Sequence, residues 1–191
     1  MQSLGATFVE LTYSPDVLAR AQARDADAFC ELYRPYEDRL FCQAVALCRD
    51  HALAEDLVQE TLIAAWKSLH RFNGRCRLFT WFCSIMVHRY HKMIRRKRPT
   101  VMSEEAFHYL ADERPTPAAN TETADRDLWL QSCLDDLPHK QRQVVYLRFY
   151  VENSLEEIAA ALQWPLGTVK STLFHGLENL RKMRRLRQLD F

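Results

Sequence analysis

Three groups of side chains in this sequence have something to offer a ligand. In the first, Asn73, Gly74, Arg75 and Arg77 lead into Phe79, Trp81 and Phe82, and His88, Arg89, His91, Lys92, Arg95 and Arg96 follow. A cationic track beside aromatic rings suits single-stranded nucleic acid, whose phosphates need charge and whose unstacked bases need platforms or pockets. In the second, Lys170, Ser171, Phe174 and His175 point away from an apolar row formed by Val169, Leu173, Leu177 and Leu180. A polar and basic outer face on a short helix is what major-groove readers present to duplex DNA. Phe174 lies off the apolar row, and an exposed ring there would suit a thymine methyl group. In the third, Asp56, Gln59 and Glu60 fall on one helix face and expose acceptors together.

Each group also has a plainer reading. Trp81 and Phe82 fit a helical core, and so do most aromatics around them. Carboxylates near a helix start complement its dipole, and Lys or Arg near a helix end do the same there. Phe174 could tuck against the preceding helix. Cys83 with His88 and His91 hints at a metal site, but one Cys and two His do not complete a zinc shell. No Walker loop, G-x-S-x-G or H-E-x-x-H occurs, so no enzyme chemistry is expected and no cofactor is implied. The pair Asp135-Asp136 reads as a helix cap.

These groups need helices to hold them. Ser14-Pro15-Asp16 is a helix start, with Pro15 tolerated in the first turn. A second helix begins near Asp25 or Asp27 and carries Phe29, Leu32, Tyr33 and Tyr36. A third spans Ala52 to Leu69, with Val58, Leu62, Ala65, Trp66 and Leu69 as its buried row. Asn73-Gly74 marks a turn, and a fourth helix runs from near Thr80 into Arg95-Arg96-Lys97-Arg98, where Pro99 stops it. Ser154 caps another helix and Glu157 completes a capping box; Leu155, Ile158, Ala159 and Leu162 make its apolar face. Gln163-Trp164-Pro165 breaks that helix, and a second one follows at once. That is a helix-turn-helix.

The sequence therefore predicts an all-α protein of two helical domains. Residues 1–14 form an extension, 15–98 the first domain, 99–125 a flexible, mostly acidic linker with three prolines, and 126–191 the helix-turn-helix domain. The totals agree: 191 residues, 48% hydrophobic, 27% charged and only 4 glycines. A net charge of +1 hides a basic–acidic–basic distribution along the chain. No run of about 18 apolar residues suggests a membrane span, and no secretory signal is visible. Six cysteines without a C-x-x-C pair fit reduced thiols in the cytoplasm.

At this point the motifs resemble a known family. Leu137-Pro138 through Arg148, with Ser154 to Leu173, looks like region 4 of a bacterial sigma factor. Ala54-Glu55-Asp56-Leu57-Val58-Gln59-Glu60-Thr61 resembles the region 2 helix, and Phe72 to Phe82 the segment after it. Two domains without a region between them are similar to the extracytoplasmic-function (ECF) branch. The resemblance implies that Asp56, Gln59 and Glu60 dock on the β′ clamp helices of core RNA polymerase. It implies that Asn73, Gly74, Arg75, Arg77, Trp81, His88 and Lys92 hold −10 DNA, and that Arg148, Lys170, Ser171, Phe174 and His175 read the −35 element. Other implied partners are the polymerase β flap, promoter DNA and an anti-sigma factor. Three positions depart from the pattern: His88 where asparagine is common, Thr172 where arginine is common, and Gln163 where glycine is frequent. Rival readings are a dimeric regulator of duplex DNA and a metal-dependent protein using Cys83, His88 and His91.

Overall fold

The N-terminal helices form because each start carries a cap and each apolar row has a partner. In the computed structural model, which describes residues 13–97 and 133–187, α1 (Pro15–Gln22) begins on a proline and α2 (Ala26–Tyr33) on Asp25, whose side chain accepts from the Ala28 amide. Pro35 then forces a 3₁₀ turn, Arg34–Tyr36, and a new helix, α3 (Glu37–Cys48), follows. The sequence reading had no separate helix there; the proline that ends α2 is also what allows α3 to start afresh. Arg49, in the left-handed region at φ 53°, closes α3, and Asp50 caps α4 (His51–Ser68) through the Leu53 amide. A second 3₁₀ turn, Leu69–Arg71, leads to the Asn73-Gly74 bend and α5 (Leu78–Lys97).

On α4 the buried row is Ala54, Leu57, Thr61, Ala64 and Ala65, with Leu69 just beyond. Of the expected row, Ala65 and Leu69 are buried, whereas Val58, Leu62 and Trp66 are only partly buried. Small side chains won the inner face because α3 and α5 both pack closely there, while Trp66 leans outward on Phe29 at 5.1 Å.

The C-terminal unit starts with a helical turn at residues 133–136 and continues with α6 (His139–Phe149), α7 (Leu155–Leu162) and α8 (Leu166–Arg187). Arg142, only 3% exposed, donates to the carbonyls of Leu134, Asp135 and Leu137 and so satisfies the end of that first turn. The capping box at Ser154 is present in both directions: the Glu157 amide donates to Ser154 Oγ, and the Ser154 amide donates to the Glu157 carboxylate. Leu173, Leu177 and Leu180 are half-buried below a fully buried Val169, as their spacing predicted. The proposed linker, residues 99–125, and the N-terminal extension lie outside the described residues, apart from Tyr13 and Ser14.

The two units do not keep separate cores. Val144, Tyr146, Leu147, Ile158 and Val169 belong to the same buried cluster as Leu40, Leu57, Phe82 and Met86. A smaller cluster of Leu134, Leu137 and Val145 packs under Leu173, Leu180 and Met183. Among the described residues there is no strand, and no helix is long and apolar enough to cross a membrane.

The turn of the helix-turn-helix carries one local cost. Gln163 ends α7 in the left-handed conformation, φ 57° and ψ 39°, and its side chain is exposed. A Cβ crowds the carbonyl in that region, whereas glycine adopts it freely. Gln163→Gly should therefore stabilise the fold by about 1 kcal/mol, read as a higher urea midpoint at unchanged m-value.

Candidate nucleic-acid and polymerase interfaces

The acidic group sits where α4 and α5 diverge. Asp56, Gln59 and Glu60 are all exposed and line one groove with Leu53, Ile63, Arg89, Lys92 and Met93. Glu60 comes within 3.9 Å of Arg89, a distance at which solvent leaves only weak pairing. Ile63 is 55% exposed at the edge of this groove. Sequence reasoning missed it: an isoleucine inside an apolar helix looks like core, and only the packing shows which face is left bare. Lys92, expected among the −10 groups, lines this same groove.

The loop before α5 is shaped by two residues. Asn73 Oδ1 accepts from the Arg75 amide at 3.1 Å, and Gly74 takes φ +71°, where a side chain would be strained. Asn73, Gly74 and Arg75 are exposed. Arg77 is not free: its guanidinium meets Glu157 at 2.7 Å and Asn153 Oδ1 at 2.8 Å. Trp81 is 8% exposed, 5.4 Å from the Phe72 ring and 5.6 Å from the Phe82 ring. In this arrangement its ring belongs to the core and offers no platform to a base. The plainer reading of this tryptophan was the right one, because the aromatic register of α5 turns that side inward.

His88 is exposed and borders a cleft lined by Lys67, Arg71, Arg89, Gln143 and Leu162. Its ring lies 5.2 Å from that of His139, and His91 lies 4.3 Å from the same ring. The expected alternative of Cys83 with His88 and His91 is not assembled. Cys83 is fully buried with its thiol pushed well above its ordinary range, and no group of three His, Cys, Asp or Glu among the described residues could hold a metal.

On α8, Lys170, Ser171, Phe174 and His175 share one exposed face, and Phe174 is 58% exposed. Its ring meets that of His175 edge-on at 5.5 Å. Ser171 Oγ donates to the Thr168 carbonyl, and His175 lies 3.8 Å from Glu178. Arg148 is exposed but already donates to the Asn153 carbonyl at 2.8 Å, closing the turn between α6 and α7.

A groove edged by Asp56, Gln59 and Glu60, a basic loop-and-helix and a helix-turn-helix with a bare reading face thus occur in that order. Residues 32–100 match the family model for Sigma-70 region 2, and residues 133–182 match that for Sigma-70 region 4. The RNA polymerase sigma-E factor of Streptomyces coelicolor is 34% identical over 163 residues, covering 85% of this chain and 89% of the relative. The chain belongs to the ECF branch of the bacterial RNA polymerase sigma factors. The RNA polymerase sigma-H factor of Pseudomonas aeruginosa is 28% identical over 175 residues, 87% of this chain and 91% of the relative. Among solved structures, CnrH in complex with the cytosolic domain of CnrY shares the fold with a TM-score of 0.58 at 20% identity, covering 90% of this chain and 96% of that one. The sigma factor RpoE of Bartonella quintana, solved with the anti-sigma factor NepR, does so with a TM-score of 0.52 at 23% identity, covering 82% and 96%. As a sigma factor, this chain acts in transcription initiation with core RNA polymerase and promoter DNA.

The histidine group should make the folding of this sigma factor sensitive to acid. Burial, reinforced by neighbouring positive charge, lowers both His91 and His139 from 6.5 to about 4. The charges facing them are Arg95 on α5 and Arg142 and Lys140 on α6, with His88 alongside. His91 Nδ1 and His139 Nε2 have no hydrogen-bond partner among the described residues. Because the folded values lie below the unfolded one, stability is complete above pH 6.5 and is lost as pH falls from there towards 4. Urea midpoints measured between pH 7 and pH 4.5 should fall, and His139→Ala should flatten that dependence.

Proposed function

We propose that the three exposed faces divide the work of initiation among themselves. Asp56, Gln59 and Glu60 dock on the β′ clamp helices of core polymerase, with Ile63 adding an apolar contact beside them. Charge complementarity of this kind sets register and association rate more than raw affinity. Asn73, Gly74, Arg75, Arg77 and His88 receive the melted −10 strand. Lys170, Ser171, Phe174 and His175 enter the −35 major groove, with Arg148 near the backbone, while α6 and α7 position α8. The β flap is the polymerase element expected to carry this C-terminal unit.

The observation that carries the reading is Phe174, a large ring left bare beside Lys170 and Ser171 on the second helix of a helix-turn-helix. A bare ring beside a cation and a hydroxyl on that helix suits a thymine methyl group on the floor of the major groove. The chain makes and breaks no bonds itself in this scheme; it places the polymerase. It works in the cytoplasm, and an anti-sigma factor holds it inactive. That control is supported by the Bartonella quintana relative, solved with the anti-sigma factor NepR.

Asp56→Arg combined with Glu60→Arg should abolish binding to core polymerase in a pull-down while circular dichroism stays unchanged; retained binding contradicts the docking face. Lys170→Ala should weaken −35 duplex binding and reduce the slope of log K against log salt by about 1. An unaltered slope would remove Lys170 from the phosphate contacts.

A further inference from the structure

The contacts between the two units fall on residues that DNA needs. Arg77 is bound by Asn153 and Glu157, both from the C-terminal unit. Thr80, fully buried at the start of α5, donates to the same Asn153 Oδ1 at 2.7 Å. Asn153 is itself fully buried, one residue before the Ser154 cap of the helix-turn-helix. Glu157 therefore serves twice: it closes the capping box of α7 and holds the loop residue Arg77. Farther along α5, Gln143 Nε2 donates to the Ser84 carbonyl, and on α3 the Gln43 carboxamide accepts from the Tyr146 hydroxyl.

Distance makes these contacts incompatible with a promoter. The −10 and −35 elements lie about 25 base pairs apart, or about 85 Å at 3.4 Å per step. Here a −10 candidate, Arg77, touches the residue that opens the −35 reader. The chain cannot grip both elements in this form, and while it persists Nε and Nη2 of Arg77 are turned to Glu157 and Asn153 rather than to a phosphate.

We infer that Asn153 and Glu157 form an intramolecular latch on Arg77 and Thr80 that keeps the sigma factor closed and unable to engage −10 DNA until its halves part. The contacts stand on their own; the inhibitory consequence rests on the assignment of Arg77 to −10 DNA. The latch is polar and half-buried, built from one ion pair and two hydrogen bonds to a single carboxamide, so a partner that competes for Arg77 or for Glu157 releases it. Apparent affinity falls in proportion to the competent fraction. A chain that is open for about one tenth of the time thus binds about tenfold more weakly than one held open.

The test uses the full chain in two measurements. Small-angle X-ray scattering reads separation of the halves, and fluorescence anisotropy reads binding of a single-stranded −10 oligonucleotide by the full chain without core polymerase. Glu157→Arg places like charge against Arg77 and should enlarge the radius of gyration and tighten oligonucleotide binding about tenfold. Thr80→Val leaves the capping box untouched and should shift both in the same direction by less. Arg77→Glu with Glu157→Arg should restore the compact dimension. An unchanged radius in both single variants, or a double variant as open as Glu157→Arg alone, overturns the latch. If the variants expand while oligonucleotide binding stays flat, the latch stands as a contact and its inhibitory role is overturned; the −10 assignment is tested apart from it, by whether Arg77→Ala weakens oligonucleotide binding in the opened Glu157→Arg chain.

Discussion

One helix has to satisfy two neighbours at once. The inner side of α5 carries Leu78, Phe79, Phe82, Met86 and Val87, all buried, and its flanks contact α3 and α4 on one side and α6 and α7 on the other. Side chains that serve the core are therefore unavailable for nucleic acid, and the basic residues of the helix are confined to what remains. Trp81 goes inward, His88 borders a cleft, and Lys92 lines the groove edged by Asp56, Gln59 and Glu60. Burial on this helix, more than its composition, decides which residues can act.

Electrostatics then separates the surfaces. A net charge of +1 gives no hint of nucleic-acid binding, because acidic and basic groups cancel in the sum, whatever their local arrangement. Asp56, Gln59 and Glu60 gather on α4, and Lys170 and His175 gather on α8. The field near each face, screened over about 10 Å at 0.1 M salt, is what a partner meets.

Much of this was legible in the sequence. The cap at Ser154, the turn at Asn73-Gly74 and the break before Pro165 follow from residue type and spacing, because local chemistry decides them; the choice of Asp25 over Asp27 as cap and the exposure of Phe174 were settled only by the structure. The left-handed backbone at Gln163 was legible as a conditional cost, since the turn needed a conformation that glutamine resists. What the spacing could not show was tertiary. Nothing local distinguishes Val58 from Leu57 as the deeper residue on α4. Helix α3 was hidden because Pro35 was absorbed into the end of α2. Asn153, a polar residue in a turn, gave no sign that it would be buried against Thr80 from the other unit. Contacts between units distant in sequence leave no periodic trace.

The closed form joins the two units through a few polar contacts and shared apolar burial. Val144, Tyr146 and Leu147 face the N-terminal core in the closed form, and polymerase must offer enough interaction to replace that burial. The central claim, that one chain bridges two promoter elements for a bacterial polymerase, is tested most directly by run-off transcription with core enzyme on a cognate promoter template. The account predicts transcripts of defined start that require both this chain and intact −10 and −35 elements. Transcription indifferent to the −35 sequence, or none at all from a chain that binds core enzyme, would contradict it.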